Sequence, residues 1–374
     1  MSGRRKNVIS KASPHTIKKF ELIEEYIKSW AQKLMLTDSC NGLIFIDCMC
    51  NCGVYTNDAG EIVKGTALRV SEALLNVARL YPNKTVQVYL NDKDKNRVDE
   101  LEKHLPQNER NFQIVTSRLD VHELLRTIGP QLYQAGHLHY FLFYDPYDAD
   151  IDWEALLPFF RNWGEVVINH MVSDPVRAIT SAKKKTTKEK YENTYLEDFE
   201  KLVPFGSDKV AYEARVKEII NSLKGTRRYF VSAFPFYNTQ NSHMYNLIHC
   251  TSNKEGFKLY KKSAWKVFGN QSSTKNSPES EQLSFDSYGI ITNETDESCF
   301  HVSDISRYLQ QNFKGRKQVQ LTEMWELLDD HPIFPSEGYR NEIKKDLSER
   351  FGAKIEQIVS DENGKKETVI FFSL

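Results

Sequence analysis

From Leu43 to His170 the chain repeats one pattern: a short apolar run, then an amphipathic stretch of helical period. The runs Leu43–Asp47, Thr85–Leu90, Phe112–Thr116, His137–Tyr144 and Glu165–His170 have the length and the β-branched or aromatic content of strands. The stretches between them, about Ala67–Leu80, Asp94–Leu105, Val121–Ile128 and Trp153–Phe160, carry the apolar spacing of helices. Parallel strands separated by helices need crossover connections, and these are right-handed. The pattern therefore predicts an α/β fold, a doubly wound Rossmann-like sheet with helices on both faces. A membrane span is excluded, because no apolar run approaches the roughly 18 residues that one requires.

A sheet of this kind binds ligands beyond the carboxyl ends of its strands. Asp47 closes the first strand, Asp92 follows the second, Asp120 the third, and Asp145 stands at the end of the fourth. Each acid alone reads equally well as a cap for the next helix. Four in succession point to a ligand site. Asp92 is placed to accept ribose hydroxyls, and Asp120 or its neighbouring amides to face an adenine edge.

The first strand runs into the loop Ile46–Tyr55, IDCMCNCGVY. Gly53 lets backbone approach a ligand closely, and Asn51 tolerates left-handed backbone almost as well. Cys48, Cys50 and Cys52 alternate through the same loop. Alternate residues on a short loop rarely point at one ion, no fourth ligand is adjacent, and Cys is a small apolar filler. No metal site is expected. Six cysteines in 374 residues do not make a disulfide scaffold, so reduced thiols and a cytoplasmic location are expected. Met1–Phe20 is basic and lacks an apolar core, unlike a secretory signal.

Ser13-Pro14 opens a helix in which Ile17, Phe20, Ile23, Tyr26, Ile27 and Trp30 are apolar, making residues 1–40 an N-terminal helical segment. The sheet domain is expected over 41–268, interrupted at 174–225 by a charged, mostly helical insertion. Within it, Arg177–Lys190 holds six basic residues against one acid, Glu189. The polar stretch Gly269–Pro278 marks a linker over 269–286. In 287–374, helices near Val302–Phe313, Thr322–Asp329 and Ser336–Phe351 precede two strands joined by Asp361-Glu362-Asn363-Gly364, a hairpin turn. That is the order of a winged-helix domain. The net charge of −1 names no partner, yet it conceals a contrast between the basic segments and a tail, Cys299–Leu374, with 11 basic and 13 acidic residues. Contact with DNA or RNA phosphates is expected at the leader, at Arg177–Lys190 and at Lys258, Lys261 and Lys262. A protein or DNA partner is expected at the winged helix.

Several motifs together resemble the class I S-adenosylmethionine-dependent methyltransferases, and specifically the three-Cys-motif partner proteins. They are HTIKKFELIEEYIKSW, the Asp47–Tyr55 loop, Gly65-Thr66-Ala67, Asp92-Lys93-Asp94, Asp145-Pro146-Tyr147 and HMYNLIHCTSNKEGFKLYKKSAWKV, and the resemblance covers about residues 13–268. The chain departs from the family where its first loop glycine is Asn51 and its small Ala and Pro are Cys50 and Cys52. The resemblance implies a methyltransferase acting on or with nucleic acid, with S-adenosylmethionine held by Asp47, Cys48, Asn51, Gly53, Asp92 and Asp120. It also implies that Asp145, Pro146 and Tyr147 form the methyl-acceptor side, Asp145 accepting from an amine and Tyr147 stacking on a base. The alternative is a binding scaffold on the same fold that has lost the cofactor.

Overall fold

A short strand, β1 (Ser10–Lys11), precedes helix α1 (Pro14–Met35). The helix starts where Pro14 needs no hydrogen-bonded N–H, and its repeat of apolar residues buries Phe20, Ile23, Tyr26, Ile27 and Trp30. The structure, a computed structural model, describes residues 8–134, 138–161, 164–276, 298–359 and 366–372. Its contacts divide the chain into two units, Met1–Phe257 and Lys258–Leu374.

In the first unit, strand β2 (Gly42–Asp47) is buried along its whole length. Gly42 is obligatory: a Cβ there would stand 2.2 Å from the Thr85 carbonyl oxygen of the neighbouring strand. A hairpin, β3 (Val54–Thr56) and β4 (Ile62–Lys64), follows, and β1 adds to it in parallel with β3. The alternation then proceeds as expected. Helix α2 (Thr66–Leu80), strand β5 (Thr85–Asn91), helix α3 (Lys95–Leu101) and strand β6 (Phe112–Ser117) make one half. Helix α4 (Val121–Gln134), strand β7 (Leu138–Tyr144), helix α5 (Trp153–Arg161) and strand β8 (Gly164–Met171) make the other. Helix α3 is shorter than its pattern, because Lys103 and His104 bond back only three residues, as turns.

The insertion folds as α6 (Ser173–Ala178), α7 (Lys185–Tyr195), α8 (Phe199–Leu202) and α9 (Lys209–Leu223). Strands β9 (Phe230–Tyr237) and β10 (His243–Thr251) complete a seven-stranded sheet of order β6-β5-β2-β7-β8-β10-β9. The doubly wound α/β sheet is thus present, but it is not wholly parallel: β10 runs antiparallel to both β8 and β9. Ile44, Ile46, Leu142, Tyr144, Val166 and Ile168 join one core with α4, α5 and the insertion helices. Burying each such side chain contributes about 1.5–3 kcal/mol. Among the described residues, no helix is long and apolar enough to cross a membrane.

The division between the units falls inside helix α10 (Lys254–Val267), earlier than the 268 end expected for the sheet domain. The second half of α10 is built into the second unit. Lys261 is buried and donates to the carbonyls of Leu328, Asp329 and His331, while Trp265 donates to Ile333 at 3.0 Å. That unit continues with α11 (Val302–Asn312), β11 (Val319–Gln320), α12 (Leu321–Asp330), α13 (Arg340–Phe351), β12 (Lys354–Val359) and β13 (Lys366–Phe371). Its sheet has the order β11-β13-β12. The turn Asp361–Gly364 lies outside the described residues. Of the stretch expected as a linker, Ser272 and Ser273 are buried, and the Ser272 amide donates to Phe300 at 2.9 Å. Lys261, expected to meet phosphate, is spent on the α12 carbonyls, and Lys258 pairs with Asp329 and Glu337.

Candidate functional site

Strand register decides what meets at the carboxyl end of the sheet. Asp47 lies opposite Leu90 of β5 and Phe143 of β7. Asp92 and Asp145 therefore fall two residues beyond it, on either side. From β2 the chain turns outward to β5, and from β7 it turns the opposite way to β8, so the switch point lies between β2 and β7. Asp47, Asp92 and Asp145 share one mouth there.

The three acids have different surroundings. Asp47 is buried, and its Oδ1 accepts the Met49 amide at 3.1 Å. Burial, reinforced by the nearby Asp145 charge, pushes its carboxyl up to about 8, so it keeps a proton at neutral pH. Asp145 has both oxygens engaged: Lys19 Nζ donates to Oδ2 at 2.5 Å and Asn169 Nδ2 to Oδ1 at 2.5 Å. Lys19 is buried in the sheet-facing side of α1, with its ammonium 5.2 Å from the centre of the Tyr245 ring. Asn169 Oδ1 is buried with no hydrogen-bond partner. Asp92 is buried; Oδ2 accepts the Asn51 amide at 3.2 Å and Oδ1 the Asp94 amide at 2.9 Å.

A side-chain bridge ties the loops together. Arg97, in the first turns of α3, pairs with Asp92 at 3.5 Å, donates to the Tyr147 hydroxyl and lies 5.2 Å over the Tyr147 ring. Asn51 Nδ2 donates to the same hydroxyl at 3.3 Å. Pro146 is buried, whereas Tyr147 is 57% exposed. The loops after β2, β5 and β7 are thereby linked through Asn51, Arg97 and Tyr147.

The Cys48–Gly53 loop is rigidly held. Asn91 Nδ2 donates to the Cys48 carbonyl at 3.1 Å, and the Cys50 amide donates back to the Asn91 carbonyl at 2.7 Å. Asn51 adopts φ +56°, the left-handed conformation its side chain tolerates, and its Oδ1 accepts the Cys52 amide at 2.7 Å. Gly53 adopts φ +72°, and a Cβ there would strike Leu101 of α3 at 2.4 Å and Leu68 of α2 at 3.0 Å. Cys48, Cys50 and Cys52 are buried, and burial pushes all three thiols up. Among the described residues no three His, Cys, Asp or Glu side chains gather as a metal set.

Asp120 is exposed, and its Oδ1 accepts the His122 amide at 3.0 Å, so it serves as a cap for α4. The residues that sequence reasoning missed are Lys19, Asn91, Arg97 and Asn169. Lys19 carried a signal, for it shares the helical face of Ile23, Tyr26 and Trp30. The others gave none, since their partners are set by strand ends remote in sequence.

No family model matches the chain, and no curated protein sequence does. Among solved structures, Trm1 from Pyrococcus horikoshii in complex with S-adenosyl-L-methionine is similar over 97% of this chain and 91% of its own, at 10% identity and a TM-score of 0.38. Loganic acid methyltransferase with SAH is similar over 68% of this chain and 83% of its own, at 10% identity and a TM-score of 0.29.

Proposed function

We propose that the first unit binds S-adenosylmethionine at the mouth between Asp47, Asp92 and Asp145 and transfers its methyl group to an acceptor on a nucleic acid. The observation that carries this reading is the buried Asp92 carboxylate at the end of β5, beside the switch point, where it can accept a pair of ribose hydroxyls. Lys19 balances Asp145 and Arg97 balances Asp92, so the negative character that suits a sulfonium cation comes from Asp47 as its carboxyl, raised to about 8, gives up its proton. The bound cofactor supplies an electrophilic methyl group. The chain's own residues position the acceptor, and alignment of the acceptor's lone pair with the breaking bond supplies much of the catalysis. Asp145 already accepts one bond on each oxygen, and the unpartnered Asn169 Oδ1 beside it offers a further hydrogen-bond acceptor to the incoming group, with Tyr147 offering an exposed ring.

Nucleic acid as substrate is supported by the insertion, where Lys183 and Lys184 are exposed. The rest of that basic segment is partly spent, since Lys188 pairs with Glu200 and Lys190 with Asp148 and Asp174. The second unit, read as a winged helix, would offer α13 to DNA or to a protein. One observation favours the scaffold reading instead: Asp145 is held by Lys19 and Asn169 as a structural pair. Calorimetry with S-adenosylmethionine separates the two. Heat of binding is expected, and no heat at high protein concentration would leave the scaffold. Affinity for single-stranded DNA or RNA should fall steeply with salt, and a flat dependence would remove phosphate contact.

A further inference from the structure

At the opposite end of the same sheet lies a cavity of about 240 Å³ that the proposed transfer does not use. Trp30 and Leu34 of α1 wall one side of it, and Thr251, Ser252 and Asn253 form the polar border. Glu165 also lines it, although this side chain is nine-tenths buried. The carboxylate is held in place through one oxygen: Oε2 accepts the Tyr26 hydroxyl and His249 Nε2, the latter at 2.7 Å. Oε1 has no such bond. It rests against Gly256 in the first turn of α10, where a Cβ would come within 2.3 Å of it.

The chemistry of this lining is selective. It joins a fixed carboxylate to an indole wall and neutral polar groups, and among the described residues no Lys or Arg lines the cavity. His139, also at the wall, is shifted by burial toward its neutral form. An anion would meet the Glu165 carboxylate with no Lys or Arg of the lining beside it. A compact organic cation would gain both its charge and the aromatic face. We propose that this cavity is a second binding site, distinct from the strand-end mouth, that takes a small alkylammonium group.

The probes are n-butylammonium, n-butanol and n-butyrate, titrated into the full chain while the Trp30 indole resonance is followed. Butylammonium should bind about tenfold more tightly than butanol, and butyrate should not bind. Glu165→Gln should reduce butylammonium to the level of butanol. Equal binding of the amine and the alcohol, or no shift at Trp30 with either, overturns the site. Should Glu165→Gln fail to fold, Leu34→Trp decides, because it fills the cavity without touching the Tyr26–Glu165–His249 bonds. Retained butylammonium binding in that variant also overturns the proposal. A blocked Gly-Lys-Gly peptide distinguishes the source: tighter binding than butylammonium marks a protein lysine as the occupant, and weaker binding a free amine. None of these results depends on the methyltransferase reading.

Discussion

Lys19 Nζ stands 2.5 Å from Asp145 Oδ2, although 126 residues separate the two in the chain. The contact joins the first helix to the end of the fourth strand of the parallel set, and both partners are largely buried. A pair in this setting is costly to break from one side, since the survivor keeps its charge without a partner. Lys19→Met should lower unfolding free energy by about 3–5 kcal/mol, and Lys19→Met combined with Asp145→Leu should recover most of the loss. Urea unfolding of the three proteins checks this. A Lys19→Met variant as stable as the parent would show that the pair contributes nothing.

Asp47 should make stability depend on pH in an identifiable direction. Its carboxyl is raised to about 8 in the fold, so between the unfolded value near 4 and that point the folded state binds more protons than the unfolded. Stability from this group is therefore lost as pH rises through that window. Asp47→Asn should gain little at pH 4 and up to about 5 kcal/mol at pH 8. A difference between variant and parent that stays constant across pH would refute the assignment. The same group predicts that S-adenosylmethionine, a cation, binds more tightly as pH rises from 6 to 9.

The Asn51–Tyr147–Arg97 bridge spans the mouth, and a ligand entering there has to part it. Tyr147→Phe keeps the ring and removes the acceptor for both neighbours. Amide exchange across Met49–Gly53 should quicken, and S-adenosylhomocysteine should bind about 3–10-fold more tightly, because less of the protein's population is closed. Unchanged exchange and unchanged affinity would mean that the bridge does not restrain the loop.

In the second unit, Lys261→Met should cost about 2–4 kcal/mol, because the carbonyls of Leu328, Asp329 and His331 lose a buried charged donor together. A thermal melt that resolves this unit measures it. A loss below about 1 kcal/mol would mean that water replaces the ammonium without penalty.

The strands and the acids at their ends were legible in the sequence because both depend on local period and on punctuation by single residues. Asp47, Asp92 and Asp145 do converge, and that follows from register once Gly42 allows β2 to lie close to β5. The reversal of β10 was not legible, since an apolar run has no sign of direction. Nor was the β3–β4 hairpin, whose strands are three residues each. Gly53 shows a different gap. Its glycine requirement is evident in sequence, but only the packing of Leu68 and Leu101 shows what a side chain there would strike. Asp120 looked like its three fellow acids, and it is the exposed one of the four, with its Oδ1 capping α4.

The most direct measurement is a crystal structure of the full chain grown with millimolar S-adenosylhomocysteine. The account predicts the nucleoside against Asp92, with its ribose hydroxyls on that carboxylate and the Asn51–Tyr147 bond parted. A mouth with that bond intact and no nucleoside against Asp92, at a concentration that saturates ordinary cofactor sites, would contradict it.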